Sequence, residues 1–132
     1  MKLAETQRAF TESMRSKYPN LFPEPENEDY AINRYGIEVY QGWFPIVEHM
    51  IDQIAAYAEH HEIDDFLRIT QIKTDYCLLR CNTTLQNDEL NQIINAHNEQ
   101  ATHTCEQCGN PGEIRVERRW KTVLCDMCNS KK

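Results

Sequence analysis

At 132 residues the chain has room for one domain with at most a small appended module, which excludes a two-domain enzyme or a large cofactor fold. Hydrophobic residues make up 40% and charged residues 27%, ordinary globular values, and no apolar run approaches the ~18 residues that a membrane span needs. The formal net charge of −7 divides unevenly: residues 1–104 hold eight Lys and Arg against seventeen Asp and Glu, a balance of −9, while residues 105–132 hold six against four, a balance of +2. An acidic body repels the phosphate backbone, so any nucleic-acid contact is expected on the tail.

The spacing of Leu3, Phe10, Met14 and Tyr18 predicts a helix over 3–18 with one apolar stripe, stopped by Pro19. Residues 19–29, PNLFPEPENED, hold three prolines and four acids and read as a connector, pinned at Leu21 and Phe22. Gly42-Trp43-Phe44-Pro45 marks a helix entry, because proline at the first helical position loses no hydrogen bond. The helix is expected over 45–60, with Ile46, Met50, Ile54, Tyr57 and Ala58 on one face and Val47, Ile51 and Ala55 widening it.

Residues 66–74 and 76–83 are rich in Ile, Leu, Thr and aromatic side chains and suit two paired strands. Leu67 and Ile69 would share one face, with Phe66 and Ile72 on the other, so the hairpin is either covered on both sides or bulged. Asn87 or Asp88 can cap a last helix over 88–102, with Leu90, Ile94, His97 and Ala101 on its buried stripe. The fold class expected is α+β: a small helix-hairpin-helix body over 1–104, with 19–29 as connector, and a four-cysteine zinc finger over 105–132.

Cys105-Glu106-Gln107-Cys108-Gly109 and Cys125-Asp126-Met127-Cys128 carry the strongest chemical signal. Two residues between cysteines let one tight turn aim both sulfurs at a single ion, and two such pairs make a tetrahedral thiolate cage. One structural zinc ion on Cys105, Cys108, Cys125 and Cys128 is the expected occupant; two disulfides, an iron centre or four free thiols are the alternatives. The start, MKLAETQRAF, lacks the apolar core of a secretory signal, which points to a reducing compartment and favours metal over disulfides. Between the pairs, Ile114, Val116, Trp120, Val123 and Leu124 read as a short hairpin, in a finger of treble-clef or zinc-ribbon type with room for only one helical turn after Cys128.

Arg115, Arg118, Arg119 and Lys121 around Trp120 form a basic patch with an aromatic, the composition of a nucleic-acid surface, although Glu113 and Glu117 are interleaved. Cys77 and Cys81, four apart on a strand, are expected to be buried free thiols. A second metal site would need His49, His60, His61 or His97, which no spacing joins; His103, two residues before Cys105, is the one substitute ligand the sequence offers and reads rather as a hydrogen-bonding neighbour of the finger. Lys73, Asp75 and Arg80 flank the hairpin turn without a recognisable phosphate-binding or catalytic spacing. A glycine-rich phosphate loop, a nucleophile elbow and a metalloprotease histidine pair are all absent from the sequence, so an enzyme is not expected.

Tyr35-Gly36-Ile37-Glu38, Gly42-Trp43-Phe44, Thr70-Gln71-Ile72-Lys73, Leu79-Arg80, Thr104-Cys105-Glu106-Gln107-Cys108-Gly109-Asn110-Pro111-Gly112 and Leu124-Cys125-Asp126 occur in this order. The succession resembles a family of small tailed-phage and prophage proteins with a GW-aromatic helix entry, a Q-hydrophobic-K strand, a G-L-R strand and a terminal C-E-x-C-G-x-P-G finger. The resemblance covers about residues 30–128 and departs at Cys77-Leu78, where the family places glycines. It implies an accessory protein made in a bacterial host's cytoplasm during infection or lysogeny. On that footing the expected function is binding and modulating a host or defence protein with a basic surface, such as a CRISPR complex. The expected docking residues are the two acidic clusters, Glu24, Glu26, Glu28 and Asp29, and Glu59, Glu62, Asp64 and Asp65. A nucleic-acid-binding or transcription-modulating finger using Arg115, Arg118, Arg119, Trp120 and Lys121 is the second expectation, and a small nuclease the third.

Overall fold

The computed structural model describes residues 3–130. Helix α1 spans Leu3–Lys17, with Met14 buried and Phe10 half-buried on its stripe; the side chain of Leu3, which the sequence puts at the head of that stripe, lies outside the described residues. Pro19 then opens a 3₁₀ turn, Pro19–Leu21, and Leu21 and Phe22 enter the core. Pro23 is buried behind them, and residues 24–29 are exposed but held, because the Asn33 side-chain amide donates to the carbonyls of Glu24 at 2.8 Å and Asn27 at 2.7 Å.

Asn33 sits on helix α2, Ala31–Tyr35, an element that apolar periodicity does not reveal because five residues make little more than one turn. Gly36 ends it at φ 71°, where a Cβ would also stand 2.9 Å from Thr11 Oγ1. That hydroxyl accepts from Ile37 N–H at 2.9 Å and donates to Gln7 C=O at 2.7 Å. Behind Gly36 the chain runs beside the first strand, where Glu38 N–H donates to Ile72 C=O and Thr74 N–H to Glu38 C=O.

Helix α3, Phe44–His60, follows a 3₁₀ turn at Gln41–Trp43 and buries Ile46, Val47, Met50, Ile51, Ile54 and Ala58, the stripe that the sequence spacing predicts. Strands β1, Ile69–Asp75, and β2, Leu78–Thr83, pair antiparallel around a two-residue turn, Tyr76-Cys77. A bulge lies between Ile69 and Gln71: Ile69 faces Thr83, yet Gln71 already faces Asn82. The extra residue puts both Ile69 and Ile72 into the core despite their odd spacing. This corrects the expectation that Ile72 shares a face with Phe66, which precedes the strand and is 71% exposed.

Helix α4, Asp88–Ala101, is capped by Asn87, whose side-chain oxygen accepts from Leu90 N–H at 2.9 Å. It packs against both α3 and β2. The tail forms a second antiparallel pair, β3, Glu113–Arg115, and β4, Thr122–Leu124, and then a short helix α5, Asp126–Ser130. The chain is therefore a mixed α+β structure with two small antiparallel sheets and a cysteine cluster near its C-terminus. Among the described residues no helix is long and apolar enough to cross a membrane.

Hydrogen bonds from residues 41–43 reach the root of the tail. The Trp43 indole N–H donates to Thr104 C=O at 2.8 Å, Gly42 N–H to Glu106 C=O at 2.8 Å, and the Gln41 side chain to Gln107 C=O at 2.9 Å. Trp43 is fully buried, and Val123 of β4 belongs to the same core.

Candidate metal centre and the surface beside it

The first knuckle closes where Cys105 N–H donates to Asn110 C=O at 2.7 Å and Gly109 N–H returns to Cys105 C=O at 2.9 Å. Gly109 takes φ 82°, the left-handed turn that brings Cys108 back toward Cys105. The second pair sits at the start of α5, where Cys128 N–H points at Cys125 Sγ, 3.4 Å away. All four sulfurs lie within 4.8 Å of one another, and those of Cys108 and Cys125 are 3.6 Å apart. Zinc–sulfur bonds of ~2.3 Å around a tetrahedral ion put sulfurs about 3.8 Å apart, so the cluster has the dimensions of a thiolate cage. None of the six cysteines is joined in a disulfide, which leaves the four of the cluster available as ligands.

The acid–base balance of the cluster also calls for a cation. Burial works against ionising Cys105, yet backbone N–H groups of Cys125, Cys108 and Gln107 converge on its sulfur and bring it down to about 6. Its neighbours then resist: Cys128, hydrogen-bonded to Cys125 and crowded by Cys105 and Cys108, is pushed up to about 12. Four sulfurs this close cannot all ionise alone, and one divalent ion removes the conflict. The cluster can hold a single metal ion, and zinc fits four thiolates best.

Beside Cys105, Glu106 is 1% exposed, and burial raises its carboxyl to about 7 although Val123 N–H donates to it at 3.3 Å. The sequence reading missed this residue, because a buried glutamate inside a knuckle looks like any other polar spacer. His103 turns its ring to Glu99 at 3.4 Å and lies outside the cysteine cluster. His49 Nδ1 meets His97 Nε2 at 2.9 Å, a pairing that sequence spacing does not show, but among the described residues no third ligand joins them. Cys81 is buried, its thiol pushed up to about 12 by burial, and Cys77 is half-buried.

The four cations around Trp120 part company. Arg115 is buried, its guanidinium bonded to Leu124 C=O at 3.0 Å, Asp126 at 2.8 Å and Glu113 at 3.1 Å, so it clamps β3, β4 and α5 together. Arg118 grips Asn129 through its side-chain and main-chain oxygens, both at 2.8 Å. Both arginines thus have partners within the finger itself. Arg119, Trp120 and Lys121 remain exposed, Arg119 lying 5.8 Å from the Trp120 ring. The tertiary fold brings Tyr76 of the β1–β2 turn to them: its ring is 6.3 Å from that of Trp120, and each residue is 62% exposed. Tyr76 takes φ 59° in a hairpin turn where Asn or Gly is usual, a conformation that the sequence does not announce.

Glu24, Glu26, Glu28, Asp29, Glu59, Glu62, Asp64 and Asp65 are all exposed. Compared with known families, curated proteins and solved structures, the chain finds no significant match.

Proposed function

We propose that the chain is a zinc-stabilised, non-enzymatic accessory protein of a tailed phage or prophage. In the bacterial cytoplasm it docks on a basic surface of a host or defence protein, for which a CRISPR complex is a suitable target. One structural zinc on Cys105, Cys108, Cys125 and Cys128 holds the tail, with every coordination position filled by the protein.

The observation that carries the docking reading is charge segregation. Lys17 neutralises Glu48 and Asp52, and Arg80 neutralises Asp75, all outside the two clusters. Arg68 reaches Asp64 only at its backbone carbonyl. None of the eight clustered acids forms an ion pair with a described cation, so their field projects into solvent, where it steers a basic partner. The test compares the protein with two charge-reversed versions, one per cluster, as bait in host lysate and then in binding kinetics. A partner held by the parent and released by one reversal, with an on-rate that salt screens, supports docking. Unchanged on-rates for both reversals overturn it.

A further inference from the structure

Two grooves meet at the junction of the β1–β2 turn and the finger. One, of ≈ 510 Å³, is lined by Lys73, Tyr76, Trp120 and Lys121, with Glu38 and Glu106 on its wall; the other, of ≈ 550 Å³, runs on past Arg80 and Arg119. Asp75, Tyr76 and Lys121 border both, so they form one continuous surface. Its floor is unusual for so acidic a chain. Lys73, Arg119 and Lys121 form no ion pair among the described residues, Arg80 is tied to Asp75, and Glu106 is buried beneath, accepting from Val123 N–H.

Two neighbouring rings left 62% exposed are large apolar faces given up to water. At 6.3 Å and 35° they touch without stacking on each other, so their faces remain open to a third planar group. Cations beside open aromatic faces match a ligand that alternates planar rings with anions. We propose that this groove binds single-stranded nucleic acid, one base stacking on Trp120 and Tyr76 while phosphates meet Lys73, Arg119 and Lys121. A duplex fits poorly, because its bases are already stacked on each other and its denser charge meets the net −7 of the protein. The proposal uses none of the acidic residues of the docking reading, so either can fail without the other.

The test titrates a labelled oligothymidylate of about 16 nucleotides, the upper end of single-strand site sizes, with zinc-loaded protein at low salt, following anisotropy and tryptophan emission. Trp43 is buried, so a base that stacks on the exposed Trp120 is read as quenching. Trp120→Ala and Tyr76→Ala should each weaken binding about tenfold, the lower range for one stacked base, while Trp120→Phe keeps most of it. Met127→Ala, exposed on α5 away from the groove, should change nothing. Three phosphate contacts predict a slope of log K on log salt near about −2, lessened by Lys121→Glu. Absence of binding, indifference to Trp120→Ala, or equal affinity for duplex overturns the proposal. Displacement by polyglutamate as readily as by unlabelled oligonucleotide also overturns it and gives the groove to acidic proteins.

Discussion

Gly42 and Glu106 meet backbone to backbone: the Gly42 N–H donates to the Glu106 carbonyl at 2.8 Å, and a Cβ on Gly42 would stand 2.5 Å from the Glu106 carbonyl carbon and 2.2 Å from the Cys105 oxygen. No side chain fits there without moving the first cysteine knuckle, whose atoms are themselves held by the hydrogen bonds around the metal centre. Gly42→Ala should therefore cost about 1–3 kcal/mol or more and open the seam between the 3₁₀ turn and the knuckle. Thermal melts and limited proteolysis around residues 104–112 check this; a variant as stable and as resistant as the parent would mean the two backbones are not in contact.

Purified protein should carry one zinc per chain. Structural zinc is worth roughly 10–16 kcal/mol of apparent binding energy in finger peptides, so Cys108→Ser or a strong chelator should unfold the tail. Elemental analysis showing no zinc, or stoichiometric iron, would sink the assignment. Because Trp43 donates to Thr104 at the root of the tail, metal removal should also change the emission of that buried indole.

Ile54 is completely buried at the centre of the α3 face, and Phe66 is largely exposed. Ile54→Ala should cost about 2–5 kcal/mol in denaturant unfolding. Phe66→Ala should stay within about 0.5 kcal/mol, as surface changes do. Similar losses from both would mean that the loop before β1 packs differently.

The buried Glu106 makes stability depend on pH. Its folded-state value of about 7 stands above the ordinary 4.5, so the folded state favours the protonated acid. That contribution is fully present below the unfolded value and is lost as pH rises through the folded one. Relative to the parent, Glu106→Gln should gain stability between pH 4.5 and 7 and hold a level advantage above that, up to about 3 kcal/mol if the whole shift is realised. Parallel stability curves for the two proteins across this window would refute the linkage. Since both carry the same cysteine cluster, loss of metal at low pH affects the two alike.

Several features were legible in the sequence because the interactions behind them are short in range. The 3.6-residue period of Ile46, Met50 and Ile54 announced α3, the Asn87 side chain reaches only three residues to cap α4, and two-residue spacing lets each cysteine pair share a turn. The tertiary structure decided what depends on approach between distant segments. Arg118 and Arg119 are adjacent and alike in charge, yet one grips Asn129 and the other stays exposed, because the finger's hairpin turns them to different sides. The bulge that puts Ile69 and Ile72 on one face, the meeting of Tyr76 with Trp120, and the burial of Glu106 under Val123 have the same origin. The bulge and the seat of Glu106 are set by backbone pairing, whose N–H and C=O groups every residue shares, and the ring contact by the approach of two segments far apart in the chain, so local side-chain patterns say little of where each falls.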